Sequence, residues 1–405
     1  MKRISIIVGC IVLLVVGILV FTSQDQEQIL VEEDTLDENT SLVFMLQEED
    51  GTYKKSDSLP SSGYSFNATK SVCSNGATPT WEDNKLYLNN LTSNGTICYL
   101  YFDIKPLAMN TILANSTVHE GTPDFSQVAT TDEGMYKAED DLGTSYYFRG
   151  AVENNYIKFA GYWWRIVRIN GDGSIRIIYD GTSTHANGES SSDRQIGTSV
   201  YNNSVNYSYY VGYTYQVDAQ RPSTQNGGTA STIKGVLDTW YSTNVAEIGV
   251  DDKVVSTPGF CNDRNTASGS NWVASGSTFY YAAYGRLVNA KTPTLQCSNT
   301  NDIYTTKVGF ITADEVSMAG GVYGPGNSSY YLYTGQNYWT MSPHYFDVGS
   351  NGSYAYVFTV WSSGSLSNSW VNYSRGVRPV LNLDAYVTLS GTGTMSDPYV
   401  VEGAE

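Results

Sequence analysis

The chain has 405 residues, with 40 Asp and Glu against 23 Lys and Arg, and a formal net charge of −17. That length supports two or more domains with apolar cores, and a hydrophobic fraction of 41% marks the chain as a folded one. So large a negative surplus repels nucleic acid and anionic lipid surfaces, which excludes nucleic-acid partners.

Lys2 and Arg3 precede an apolar run, Ile4–Phe21, of about 18 residues, close to the ~20 that cross a bilayer as a helix. Basic residues before the run and acids after it place residues 1–3 in the cytosol and everything beyond the run outside the cell. The run exceeds the usual apolar stretch of a signal peptide, and no A-x-A-like site follows it. Residues 4–21 therefore read as an uncleaved, single-pass transmembrane anchor, the chain's contact with a membrane. "IVGC" leaves too few residues before Cys10 for a lipoprotein leader. Residues 22–40, acidic and poor in aromatics, read as a solvated stalk.

Residues 41–104 hold alternating runs such as "KLYLNNL" and "TICYLYFDI" and predict a small antiparallel β module. Its "LPSSG" (59–63) is far from the C-terminus, lacks an apolar tail and has Ser where a sorting signal needs Thr, so it is a loop. Beyond the anchor the cysteines are Cys73, Cys98, Cys261 and Cys297, an even number that predicts two disulfides in an oxidising exterior. None lies in a C-x-x-C pair, and the histidines a zinc site needs are missing nearby. Of three connectivities, Cys73–Cys98 with Cys261–Cys297 keeps each bridge inside one module. Residues 105–140, polar and without a strong period, read as a linker with room for a short strand or helix.

From residue 141 the chain turns β-rich. "NGDG" (170–173) lies between two β-rich runs and predicts a hairpin; an EF-hand fails there for want of the Asp/Asn ladder and the distal Glu. In "STIKGVLDTWYSTNVA", Ile233, Val236, Leu237 and Trp240 fall at helical spacing on one face. In "ITADEVSMAGG", Thr312 and Glu315 have capping-box spacing and glycines end the helix. Strands return in "NYWTMS", "AYVFTVW", "SLSNSWVN" and "GVRPVLNLD", followed by a last hairpin over 385–401. Pro379 puts a bulge or an edge in the fourth of these strands.

Together, "AEDDLGTSYYFRGAVENNYIKFAGYWWRIVRINGDGSIRIIYDGTS", "STIKGVLDTWY", "FCNDR", "PTLQCS", "GFITADEVSMAGG", "YYLYTGQNYWTMSP" and "GVRPVLNL" resemble a large family of membrane-anchored surface proteins of Gram-positive-type bacteria, over residues 105–401. That resemblance implies location and architecture but supplies no activity. More loosely, Trp339, Ser342, Gly376 and Arg378, in the pattern W-x-S-P … G-V-R-P, are similar to the end of C-type-lectin-like domains, including the formylglycine-generating-enzyme branch. The paired cysteines of that enzyme and the E-P-N and Q-P-D calcium motifs of the lectins do not occur. The expected fold class is thus α+β and β-rich: a transmembrane helix, a disulfide-closed β module, and a lectin-like domain over 141–401.

Ser342 and His344, two apart on a strand, could approach as a nucleophile and base, but Pro343 interrupts the strand and no G-x-S-x-G elbow is present. His119 and His185 fall in polar, loop-like sequence. A glycosidase needs two carboxylates, and Asp263, Asp302 and Asp314 are candidates that the sequence cannot pair. No catalytic residue, cofactor or metal ligand is recognisable. The chain's 33 Tyr and 8 Trp among Ser, Asn and Gly suit both β-strands and adaptable binding surfaces. An aromatic rim of Tyr345, Phe346, Trp361 and Trp370, with His344 nearby, is the expected ligand-binding face, for a glycan or a protein. The expected function is a cell-surface binding or adhesion protein. The alternatives are an extracellular glycan-processing hydrolase and a purely structural envelope protein.

Overall fold

The computed structural model describes residues 40–405 apart from 61–62, 83–84 and 92–94, together with the strand Ile4–Ile7. The chain divides into two compact units, Met1–Pro106 and Leu107–Glu405.

In the first unit Thr96–Ile104 is the central strand of a five-stranded sheet, flanked by Thr40–Gln47 on one side and by Tyr64–Phe66 and Val72–Cys73 on the other. Its alternation buries Cys98, Leu100 and Phe102 and exposes Ile97 and Tyr99. Cys73 and Cys98 face each other across the ladder and are bonded. The expected antiparallel module differs in one respect, since Thr40–Gln47 runs parallel to Thr96–Ile104. Parallel partners are distant in sequence and share no hairpin turn that would mark the pairing.

The expected transmembrane helix is corrected. Ile4–Ile7 is a strand, paired antiparallel with Lys85–Leu88, and among the described residues no helix is long and apolar enough to cross a membrane. Ile-Ser-Ile-Ile is rich in β-branched residues, which serve a strand as readily as an apolar helix. The remainder of the expected anchor, and the stalk, lie outside the described residues.

In the second unit the long strands are, in chain order, β1 (Asp132–Asp140), β2 (Gly143–Gly150), β3 (Tyr162–Ile169), β4 (Ile175–Gly181), β5 (Phe279–Tyr280, short but central to the site), β6 (Tyr338–Gly349), β7 (Gly352–Val360), β8 (Leu366–Trp370) and β9 (Val380–Leu383). One sheet has the order β9-β4-β3-β2-β1, and the second joins β5, β6, β7 and β8. The helices are short, α1 over Thr232–Tyr241 and α2 over Ala313–Met318 among them. The expected α+β, lectin-like class is therefore corrected to a β-rich one.

Strand β4 is buried along its whole length, which is why its sequence reads as a continuous apolar run broken only by Arg176 and Asp180. The β3–β4 hairpin closes through Asn170–Ser174 with Gly173 at φ 84°, the left-handed region glycine tolerates. Helix α1 starts at the Ser231 cap and buries Ile233 and Leu237; Trp240 is half-buried against Trp164, Tyr162 and Tyr179. Residues 105–140, expected as a linker with a short strand or helix, supply a helix over Ala108–Ala114, a short strand at Val118–His119 and β1 itself. Only Met135 and Asp140 of β1 are buried, so its one-sided pattern looks polar in sequence.

An ion cluster centred on Glu315 joins β3 and β4 to α2. Its Oε1 accepts from Arg168 Nε at 2.9 Å and Arg176 Nη1 at 2.7 Å, and its Oε2 closes the capping box on the Thr312 N–H at 2.8 Å. Burial disfavours the charge, but Arg176, Arg168 and the Thr312 N–H overcome it and hold the pKa down to about 2. A carboxyl lowered from its usual 4.5 stabilises the fold fully above that value, and the gain is lost as pH falls toward about 2. Acid unfolding is predicted to steepen across that window. Glu315→Gln, which leaves two guanidiniums short of their anion, is expected to cost about 3 kcal/mol at pH 7 in urea denaturation and to flatten the acid limb.

Candidate functional site

Strand β6 begins at Tyr338 and carries two register shifts against β7, one on each side of Pro343. Proline lacks the ladder donor, so it sits where pairing is interrupted. The Ser342 hydroxyl accepts the Ala313 N–H at 3.0 Å and so anchors the start of α2. His344 is 2% exposed, and neither ring nitrogen has a hydrogen-bond partner. Ser342 and His344 thus form no nucleophile–base pair.

Past the bulge, successive residues of β6 go to opposite faces. Phe346 is fully buried against Phe279, their rings 6.0 Å apart. Tyr345 lies on the other face, opposite Tyr280 of β5 and Tyr356 of β7, and Tyr356 lies opposite Trp370 of β8. One cross-strand row therefore runs Tyr280–Tyr345–Tyr356–Trp370, with ring separations of 5.8, 4.2 and 6.1 Å. Tyr284 extends it at the Tyr280 end, while Tyr354 and Tyr373 flank Trp370. Tyr280 and Tyr373 are exposed and the others half-buried.

The rings of this band face one another. Tyr345 stacks on Tyr356 with 14° between planes, and Trp370 stacks on Tyr354 at 4.4 Å and 14°. The band consequently offers ring edges and phenol groups more than free ring faces. Burial, with the adjacent Tyr356 hydroxyl, pushes the Tyr345 phenol up, so it remains a neutral donor and acceptor at physiological pH. Arg375 lies over Tyr373 at 5.1 Å, and the Asp347 carboxylate, opposite Tyr354 across the ladder, acts on the Tyr345 phenol.

The expected rim is thus partly assembled. Tyr345 and Trp370 belong to the band, while His344 and Phe346 are corrected to buried positions. Trp361 is 45% exposed but lies in the β7–β8 turn, five residues beyond Tyr356 and so about 16 Å along the strand. Tyr280, Tyr284, Tyr354 and Tyr373 were not expected at all. No local signal marked them, since Tyr280 comes from a strand of two residues recruited by pairing.

The carboxylates of the hydrolase alternative also have definite places. Asp302 is buried and bound by Arg264, at 2.8 Å from Nε. Asp263 and Asp314 share Arg286, at 2.5 and 2.8 Å from Nη2. These two line a cavity of about 40 Å³. A water needs roughly 10–15 Å³ of such space, so the cavity admits a few water-sized groups and no sugar ring. His185, placed in a loop from sequence, is buried between Glu189 and Asp193 at 2.8 and 3.1 Å. Comparison with protein-family models, characterised proteins and solved structures returned no match to this chain. The site is therefore read from its own geometry.

His344 sits beneath the band, stacked on Tyr323 at 5.4 Å and edge-on to Tyr284, Tyr345 and Phe358. Burial lowers its pKa to about 3. The unfolded chain takes up a proton near pH 6.5 that the folded chain refuses, so stability is predicted to fall as pH drops from about 6.5 toward about 3. His344→Phe fits the apolar surroundings and removes two unpartnered nitrogens. It is expected to be at least as stable as wild type at pH 7 and about 2 kcal/mol more stable at pH 5 by chemical denaturation.

Proposed function

We propose that the chain is an extracellular binding protein whose C-terminal unit engages its ligand through the aromatic band on β5–β8. The four-strand row of half-exposed Tyr and Trp carries this reading. Tyr and Trp give large, rigid, amphipathic contacts at low entropic cost, and the hydroxyls add adaptable hydrogen bonds. An extracellular location is supported by the two disulfides, which persist in oxidising surroundings.

The self-stacked rings favour a protein partner over a glycan. Sugar recognition by stacking uses a free aromatic face, whereas Tyr345, Tyr356 and Trp370 each give a face to a neighbour. A protein surface, by contrast, packs against edges and hydroxyls and shields them from water. Glycan processing finds no support in Asp263 and Asp314, which share Arg286 and line a cavity too small for a sugar.

The test is a binding screen of the whole chain against bacterial and host surface proteins, with a glycan array alongside. Tyr356→Ser with Trp370→Ser is expected to weaken the leading interaction at least 30-fold, the size of a hot-spot loss of about 2 kcal/mol. Trp361→Ala is expected to leave it within about two-fold. Equal affinity for both variants and wild type would remove the band from the account, and capture by glycans alone would overturn the choice of a protein partner.

A further inference from the structure

The cavity among β1, β3, β4, α2 and the loop closed by the Cys261–Cys297 disulfide carries an imbalance of charge. Five carboxylates line it and three guanidinium groups answer them. Three of the acids are fully engaged. Glu315 is held by Arg168, Arg176 and its own helix cap. Asp140 takes Arg168 and the N–H groups of Leu142, Gly143 and Gly171. Asp314 takes two donors of Arg286 and the Thr294 N–H.

Two acids are left short. Asp141, exposed at the mouth of the cavity, accepts the Cys297 N–H. Asp263 is only 3% exposed, and although its Oδ2 accepts from Arg286, its Oδ1 has no hydrogen-bond donor. The Ser298 hydroxyl exerts a small lowering effect on this carboxyl but stands outside bonding geometry and accepts from Arg286 Nη1 at 3.0 Å. Burial, opposed by Arg286, raises the Asp263 pKa. An unpaired anionic oxygen at this depth is costly; a donated hydrogen bond relieves it, and a proton or a cation also offsets the surplus of acids around it.

The surroundings select the kind of cation. Among the described residues no three His, Cys, Asp or Glu side chains are grouped to hold a metal ion. A guanidinium or a quaternary ammonium exceeds the space, whereas a primary ammonium head is close to the size of water and directs its donors. We infer that this cavity binds the primary ammonium group of a small molecule, with Asp263 Oδ1 as the buried acceptor and Asp141 at the mouth. The site is independent of the aromatic band.

Titration calorimetry and thermal unfolding of the full chain with methylammonium chloride test this, against tetramethylammonium and sodium chloride at equal ionic strength. Saturable heat and a rise in melting temperature are expected with methylammonium alone. Asp263→Asn is expected to abolish both, and Asp141→Asn to weaken binding several-fold with Asp263 intact. Lysine amide and glucosamine as further titrants distinguish an amino-acid source from an amino-sugar source. The inference is overturned if wild type shows no methylammonium-specific response, or if Asp263→Asn retains it. It is equally overturned if stability falls as pH rises above the usual carboxylate range with no dependence on the cation, since Asp263 would then carry a proton in place of a ligand.

Discussion

The buried Glu315 carboxylate, bound by Arg168 and Arg176, is the interaction on which the second unit depends. It joins two neighbouring strands of the first sheet to α2 and caps that helix in the same stroke. The first N–H of α2 then fixes Ser342, immediately before the interruption at Pro343. The bulge in turn decides which face of β6 Tyr345 occupies. A single charge network thereby sets the side on which the aromatic band appears. Buried ion pairs of this kind add little net stability over apolar packing, but they are severe when broken. Their role here is to specify one arrangement of helix and sheets.

The band itself is a second layer of organisation. Cross-strand aromatic pairs contribute about 0.5–1.5 kcal/mol each beyond their area, so the row stabilises β5 to β8 while it faces solvent. Rings already stacked on one another lose little freedom when a partner arrives, which lowers the cost of binding. The same stacking restricts what they can recognise, because it withdraws ring faces and leaves edges and hydroxyls. Stability and ligand preference are therefore consequences of one geometry.

Local signals in the sequence were informative. The Asn-Gly-Asp-Gly turn, the stripe of Ile233 and Leu237, the Thr312–Glu315 box and the two sequence-local disulfides each involve residues close along the chain. What escaped was set by long-range pairing. Thr40–Gln47 lies beside Thr96–Ile104 although several other strands come between them along the chain, and β1 hides a strand behind a one-sided polar pattern. The rim groups the adjacent Tyr345 and Phe346 on one side, but β6 continues through both, so alternation turns Phe346 inward, and His344 is buried as well. Trp361 closes the run "AYVFTVW" in the sequence, but the strand ends at Val360 and Trp361 lies in the turn beyond. Glu315 was legible as a cap and illegible as an ion-pair centre, because its arginines are more than a hundred residues away. The apolar run at the N-terminus showed the limit of composition: it measured length and hydropathy, and Ile4–Ile7 is nonetheless a strand.

Hydrogen–deuterium exchange of the full chain, with and without the tightest partner from the screen, tests the central claim most directly. The account predicts slower exchange on binding in β5, in β6 after Pro343, in the Tyr354–Phe358 part of β7 and in Asn368–Tyr373, with the turn at Trp361 unchanged. Protection confined to other parts of the chain, with these segments unaffected, would contradict it.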